Sequence, residues 1–261
     1  MKVNNSNEIA DYLDFLFPQK EKEQWDKVGF SYNFNNKVNK ILISLDLTKE
    51  VLDYAIKNEF NFILNYHTFL FYKTSLKETF LKDPYKKNMH KKIRKHKINV
   101  FSVHTNLDTI PNTGSTLIIK ALNLKGKTIS IDKFNSVIEL DQKMIFSNFI
   151  EEIKKVFKFE SLQTNINNKN RKIKNIAILP GSAGMENILK TWKIYKKNAL
   201  YLTSDLKWNE LIALETMGIY FLLVPHSIEK INLSFLESKL KEKFKNTIIE
   251  IFESKEFIKN V

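Results

Sequence analysis

Short apolar runs alternate with amphipathic stretches along most of the chain. In the opening segment apolar residues recur at helical spacing and predict a helix that ends before Pro18. Its apolar face comprises Ile9, Tyr12, Leu13 and Leu16. The next run, residues 40–47, is apolar on both faces, which is typical of a buried parallel strand. Thr48 then has the side chain and the position of a helix N-cap.

The same order of strands and helices appears in both halves of the chain. Strands are predicted at residues 40–47, 61–67, 98–104, 135–142, 160–167, 174–181, 199–205, 219–226 and 247–253. Helices are predicted at residues 48–59, 86–97, 114–122, 144–157, 185–195, 206–218 and 233–244, with a polar loop at 167–174. The pattern predicts two similar α/β lobes with mostly parallel sheets. We expect residues 1–124 to form the first lobe and residues 125–229 to form the second. The C-terminal segment, from about residue 230 to residue 261, is expected to pack back on the first lobe.

Histidines and carboxylates follow three of the predicted strands. His67 follows one strand, His104 and Asp108 follow another, and His226 and Glu229 follow a third. The carboxyl ends of parallel strands line one crevice, so these side chains are predicted to face a common site. Nitrogen and oxygen donors without sulfur suit zinc, manganese, iron or nickel. Taken singly, each histidine is more typical of a structural, hydrogen-bonded residue.

Composition narrows the classes of function. The chain has no cysteine and no apolar run long enough for a membrane span, and its first residues do not resemble a secretory signal, so we expect a cytoplasmic protein that does not enter a membrane. The net charge of +13 invites a nucleic-acid interpretation. Only Arg94 and Arg171 among 42 basic residues are arginine, however, and arginine is favoured at phosphate and base contacts. Nucleic acid is therefore not an expected partner, and the densest basic stretch, residues 86–97, is predicted to be a solvated helix.

Three segments together carry a family resemblance. VLDYAIKNEFNFILNYHTFLF, VFSVHTNLDT and FLLVPHSIEK stand in the order expected of the NIF-three-like family, whose members are often named GTP cyclohydrolase I type 2 homologues. FPQKEKEQWDKVGF, ILISLDLTKEV, AILPGSAG and YLTSDLKWNE also resemble segments of that family. The resemblance covers nearly the whole chain.

The resemblance implies a cleft that binds one or two divalent metal ions. The ligands it implies are His67, Asp108, His226 and Glu229. A metal-activated water would then hydrolyse a nucleotide or small heterocycle, with Asp108 and Glu229 relaying protons. The residues expected to line the cleft are Tyr66, His104, Asp46, Trp25, Asp26 and Asp205, with His104 orienting Asp108. The family also implies a homohexamer built as a trimer of dimers.

The chain departs from the family pattern at three positions. Tyr66 replaces the first histidine of a pair, and Trp208 with Asn209 stands where a histidine is usual. Glu229 follows His226 by three residues instead of four, which is expected to turn its carboxylate away. We therefore expect one ion or none. The alternative to a hydrolase is a non-catalytic, metal-poor binding or regulatory protein that keeps the family fold and oligomer.

Overall fold

The computed structural model describes residues 4–71, 74–195 and 198–258. Its contacts divide the chain into two units, the first comprising Met1–Ile110 and Asn232–Lys255 and the second comprising Pro111–Ile231 and Glu256–Val261. The first unit therefore includes a segment near the C-terminus as well as the N-terminal part of the chain. Each unit has its own sheet. In the described part of the chain no helix is long and apolar enough to cross a bilayer.

The first unit contains a sheet in the order β1-β4-β3-β2-β11. Its strands are β1 (Gly29–Tyr32), β2 (Lys40–Ser44), β3 (Phe62–Asn65), β4 (Asn99–Ser102) and β11 (Ile248–Ile251). All neighbours pair in parallel except β1, which is antiparallel to β4. Ser44, Asn65 and Ser102 lie in register at the carboxyl ends of three adjacent strands. The residues that follow them therefore emerge at one edge of the sheet.

Helices cover both faces of this sheet. They are α1 (Ser6–Leu16), α2 (Lys49–Lys57), α3 (Leu76–Lys82), α4 (Tyr85–His96), α5 (Thr105–Asp108) and α10 (Ile231–Lys243). Side chains alternate along a strand, so successive residues supply opposite faces. Ile43 packs in a core with residues of α1 and α10, whereas Leu42 packs with residues of α2 and α4. The apolar character of β2 on both faces thus follows from two covering layers.

The second unit contains a sheet in the order β5-β6-β8-β9-β10-β7. Its strands are β5 (Gly126–Ser130), β6 (Ser136–Ile145), β7 (Gln163–Thr164), β8 (Lys172–Ile178), β9 (Ala199–Thr203) and β10 (Tyr220–Leu223). The central strands β8, β9 and β10 are parallel to one another. The outer strands pair antiparallel: β5 with β6, β6 with β8, and β7 with β10. The helices are α6 (Ser115–Ala121), α7 (Phe146–Phe157), α8 (Gly184–Tyr195) and α9 (Trp208–Met217). Residues of α6 and α7 share one core, and residues of α8 and α9 share the other.

The predicted α/β architecture is confirmed, and so are the helix face of α1 and the Thr48 cap, which accepts a hydrogen bond from the backbone of Val51. Strand β8 begins at Lys172, inside the predicted loop 167–174. Strands β1 and β5 and helices α3 and α5 had no counterpart in the sequence pattern. The first unit ends at Ile110 rather than at residue 124, because α6 buries its apolar face in a core of the second unit.

Candidate metal centre

In the first unit, Asp46 and His67 form a hydrogen-bonded pair. Asp46 follows β2 and His67 follows β3, and Nδ1 of His67 lies 2.9 Å from Oδ1 of Asp46. The histidine side chain is 22% exposed and the aspartate side chain 54% exposed, so the pair lies at the surface of the unit. A neutral imidazole that donates from Nδ1 to a carboxylate keeps the lone pair on Nε2, which is the atom that binds a metal.

Tyr66 and Asp108 form the second contact at this edge. Tyr66 is 1% exposed, and its hydroxyl donates to Oδ1 of Asp108 across 2.6 Å. The α5 turn positions Asp108, whose backbone N–H donates to the carbonyl of His104. The hydrogen bond from the phenol occupies one oxygen of the carboxylate, so Asp108 is a weaker candidate ligand than its residue type suggests.

Asp26 is the acidic partner that the structure gives to His104. Its Oδ2 lies 3.0 Å from Nδ1 of His104 and accepts hydrogen bonds from the backbone and hydroxyl of Thr105, while Oδ1 accepts from the hydroxyl of Thr68. Burial would raise the pKa of Asp26, but the hydrogen bond and charge of His104 and the Thr105 hydrogen bonds outweigh burial and hold that pKa well below its ordinary value. Sequence reasoning assigned His104 to orient Asp108 through its side chain. The acidic side chain beside its ring is instead Asp26.

The rings around these contacts pack edge to face. The ring centroids of Tyr66, His67 and His104 lie 5.0 to 5.5 Å apart, in three mutual pairs. Trp25 lies 5.7 Å from the His104 ring and is 49% exposed. The residues at the carboxyl ends of β2, β3 and β4 therefore come together, as the level strand ends predict. Asp26 is fully buried beneath them and supports His104.

In the second unit, Asp205, His226 and Glu229 form a chain of contacts. Asp205 follows β9, His226 follows β10, and Oδ2 of Asp205 lies 2.6 Å from Nδ1 of His226. On the other side of the ring, Nε2 lies 2.9 Å from Oε2 of Glu229. Both ring nitrogens of His226 thus lie beside a carboxylate oxygen, and a cation that bound Nε2 would meet the carboxylate of Glu229 next to it.

The short spacing between His226 and Glu229 does not turn the carboxylate away, contrary to expectation. Residues His226–Lys230 form a 3₁₀ helix, in which side chains three residues apart lie one above the other. A glutamate four residues after the histidine would lie beside it in an α-helix. In this 3₁₀ helix, a glutamate three residues after the histidine lies beside it. Glu229 is 7% exposed, so its carboxylate is held beside the imidazole.

Gly181, three residues after the end of β8, allows Glu229 to lie close. Its φ of +68° favours glycine, and a Cβ atom at this position would lie 2.3 Å from Oε1 of Glu229. The carbonyl of Gly181 also accepts hydrogen bonds from the backbones of Ser204 and Asp205. The absence of a side chain at Gly181 makes room for a carboxylate.

The two units repeat one arrangement. In each, an aspartate after one parallel strand bonds Nδ1 of the histidine after the next strand, and the two residues are separated by 21 positions. Asp46 and Asp205 were expected only to line a cleft, and the hydrogen bonds assign them the role of orienting a histidine. The equal spacing was visible in the sequence. It would have revealed these partners, because a strand–helix–strand step brings consecutive strand ends side by side.

The comparisons with known proteins agree with this architecture. Residues 4–258 match the sequence model of Duf34/NIF3 (NGG1p interacting factor 3). A protein of Mycoplasmopsis pulmonis named GTP cyclohydrolase 1 type 2 homolog is 29% identical over 240 residues, 90% of this chain and 93% of that protein. A Clostridium perfringens protein of the same name is 28% identical over 260 residues, 96% of each chain. The crystal structure of a Bacillus cereus protein related to NIF3 superposes with a TM-score of 0.85 at 17% identity, over the full length of both chains, and shows the fold alone.

Replacing Gly181 by alanine should destabilise the second unit more than replacing Gly184. Both glycines have a positive φ, and alanine at either should cost about 1 kcal/mol of folding free energy. A Cβ atom at Gly184 meets nothing within 4 Å, whereas at Gly181 it collides with Glu229. Denaturant unfolding should show at least about 1 kcal/mol of further loss for Gly181→Ala. Equal losses in the two variants would mean that the close approach of Glu229 does not matter for stability.

Replacing Asp26 by asparagine should destabilise the protein by about 2 kcal/mol at neutral pH, because a buried, charged acceptor loses its hydrogen bonds. The pKa of Asp26 is lower in the folded chain than the unfolded value of about 3.9, so its contribution is complete above about pH 5 and falls as the pH drops through 4. Unfolding measured between pH 7 and pH 3 should therefore show the two proteins converging at low pH. The exposed Asp11→Asn variant is the control and should stay parallel to the wild type; a constant gap for Asp26→Asn would contradict the assignment.

Proposed function

The chain belongs to the Duf34/NIF3 family, and from that premise we propose that it binds a divalent cation, with His67, His226 and Glu229 among the ligands that the family resemblance implies. The observation that carries the proposal is made separately in each unit: an aspartate holds Nδ1 of the histidine and so directs Nε2 to act as the ligand atom. Carboxylates placed behind histidines in this way are the usual outer partners of metal ligands. Glu229 adds an oxygen donor next to the second histidine.

The donor set fits a borderline transition metal. Two imidazole nitrogens and a carboxylate oxygen, with no thiolate in the chain, suit zinc, manganese, iron or nickel. Calcium and magnesium prefer sites made mainly of oxygen atoms, so they fit this set less well. Asp108 stays a predicted additional ligand, weakened by the hydrogen bond from Tyr66.

We propose a metal-dependent hydrolysis of a nucleotide or small heterocycle as the activity of this site. The curated relatives are named as homologues of a GTP cyclohydrolase, and this name supplies the first substrate to test. When bound, the cation would supply Lewis-acid activation. Glu229 is held beside His226 and Asp108 beside Tyr66, so these two carboxylates are the groups proposed to accept and return protons.

The Tyr66–Asp108 hydrogen bond favours a second candidate function. A phenol is a poor metal ligand at neutral pH, and here its proton is directed to a carboxylate that the family resemblance assigns to a metal. A chain that binds a single ion, or binds it weakly, could serve as a binding or regulatory protein without catalysis. For both candidates we propose the homohexamer, a trimer of dimers, and light scattering of the purified protein tests it.

Metal analysis should find about one ion per chain in the wild-type protein. His67→Ala and His226→Ala should each lower the metal content to near zero, and Asp46→Asn should weaken metal affinity about 10- to 100-fold because the histidine loses its orienting partner. His96→Ala is the control, since His96 is exposed on α4. Tyr66→His should raise the content towards two ions. Full metal content in His67→Ala would contradict the proposed ligand set.

Wild-type protein loaded with manganese or zinc should release product from GTP or a related nucleotide, and His67→Ala should reduce that turnover by at least about 100-fold, since losing a ligand should cost more than losing an outer partner. Activity of the control His96→Ala should equal that of the wild type. If the wild type binds one ion but turns over none of a panel of nucleotides and cyclic amides, the non-catalytic candidate is correct. Equal turnover by wild type and His67→Ala would remove the metal from the reaction.

A further inference from the structure

The second unit contains a cavity at the edge of its sheet opposite the candidate metal ligands. The cavity has a volume of about 330 Å³ and lies at the amino ends of β8, β9 and β10, whose first residues Lys172, Ala199 and Tyr220 all line it. Asp205 and His226 follow the carboxyl ends of β9 and β10, a strand length of about 15 Å away. Of the described residues, none that is assigned to the metal site lines this cavity. It is therefore a separate site, in the size range of pockets that enclose small organic ligands.

Arg171 is the cation that the structure orients in this cavity. The central carbon of its guanidinium lies 3.8 Å from the centre of the Tyr220 ring, so one face of the planar cation stacks on the ring. Stacking uses the face of the guanidinium and leaves the N–H groups at its edge as donors. In the part of the chain that the structure describes, the Arg171 side chain forms no ion pair. Its edge can therefore donate two parallel hydrogen bonds to one anionic group of a ligand.

The lysines of the cavity differ in what they contact. The ammonium of Lys174 donates to the carbonyl of Leu140 and lies 3.7 Å from Oε1 of Glu139, so its charge is already offset by β6. Lys143 and Lys172 also line the cavity, are exposed, and form no ion pair with any described residue. The described residues of the lining include no aspartate or glutamate. Together with the oriented guanidinium, these two lysines give the cavity a positive charge that favours a dianion.

Apolar side chains form another part of the wall. Ile166, Ile173 and Leu200 line the cavity, and all three are buried members of the core that α6 and α7 share. Inorganic phosphate would gain nothing from these side chains, whereas an organic group would remove apolar surface from water against them. A phosphate monoester carries a charge of about −1.5 to −2 at neutral pH, which suits several cations better than the single charge of a carboxylate. The wall therefore fits a ligand with a phosphate at one end and a ring or short carbon skeleton at the other.

We propose that this cavity binds a small organic phosphate. The phosphate lies on the edge of the Arg171 guanidinium, with Lys143 and Lys172 beside it, and the organic part lies against the apolar side chains of the wall. Tyr220 positions the guanidinium through its ring. The site differs from the proposed cation site in its residues and in its chemistry, so it gives the chain a second ligand whose binding does not need a metal.

The test is calorimetric titration of the full-length protein in the presence of EDTA, which keeps a metal ion from contributing. The probes are phenyl phosphate, ribose 5-phosphate and adenosine monophosphate. Inorganic phosphate and adenosine are the separate halves of a ligand, and benzoate is the carboxylate that matches phenyl phosphate. At least one organic phosphate should bind at least about 10-fold more tightly than each of these three comparison compounds.

Three results would overturn the proposal. The first is failure of all three organic phosphates to bind at millimolar concentration. The second is equal affinity for inorganic phosphate or for benzoate, because the wall would then recognise only charge. The third is a single-stranded oligonucleotide that binds more tightly than every monophosphate, because the basic residues would then belong to a nucleic-acid surface.

Variants locate the binding and separate shape from charge. Arg171→Lys keeps the charge but loses the planar edge, and it should weaken the best probe by at least about 10-fold. Tyr220→Phe keeps the ring and should bind like the wild type, whereas Tyr220→Leu removes the support of the guanidinium and should weaken binding several-fold. Lys169→Gln is the charge control, since Lys169 is exposed, stands two residues before Arg171 and is not among the lining residues.

Lys169→Gln should bind the probe like the wild type. Circular dichroism checks that each variant is folded, and if Tyr220→Leu does not fold, Arg171→Lys decides the test. Full affinity in Arg171→Lys, or equal weakening by Arg171→Lys and Lys169→Gln, would show that the stacked guanidinium does not recognise the phosphate.

Discussion

Neighbouring parallel strands end in register at one edge of the sheet, and the candidate chemistry depends on this constraint. Ser44, Asn65 and Ser102 lie in register, so the side chains that follow them begin at the same height. In the second unit the parallel pairing of β9 with β10 does the same for Asp205 and His226. Because backbone ladders set these positions, the spacing of the donors within each unit does not depend on a bound ligand. The functional side chains are thus placed by the most rigid part of each unit.

A second consequence of this constraint is that each histidine is oriented before any cation arrives. Free imidazole rotates and exchanges tautomers, and a ligand that must be ordered on binding loses affinity to that ordering. Asp46 and Asp205 remove most of this freedom for His67 and His226. Tyr66 acts in the opposite sense at Asp108, because its hydroxyl satisfies a carboxylate oxygen that would otherwise seek a cation. In the first unit, the same strand edge therefore contains an oriented imidazole and a carboxylate of which one oxygen already accepts a hydrogen bond.

The elements around the site could be predicted where periodicity was strong. Helix α1, the apolar strand β2 and the Thr48 cap followed from spacing and residue type alone. Strand β5 could not be found in this way, because its side chains are largely exposed and give no apolar alternation. The position of Glu229 could not be found either, since it depends on a 3₁₀ turn instead of an α-helical one. The Asp26–His104 pair joins residues far apart in the chain, which the pairing of β1 with β4 and the hydrogen bonds of Thr105 to Asp26 bring together.

Arg171 shows that the position of a basic residue carries information that overall charge does not. Where a surface needs only positive charge, lysine suffices, and in this chain lysine supplies nearly all of it. Arg171 lies where a planar group has a distinct role, because its guanidinium stacks 3.8 Å from the centre of the Tyr220 ring. A count of charges treats this residue like any lysine. Its surroundings distinguish it, because a flat guanidinium can stack on the face of a ring and a compact ammonium cannot.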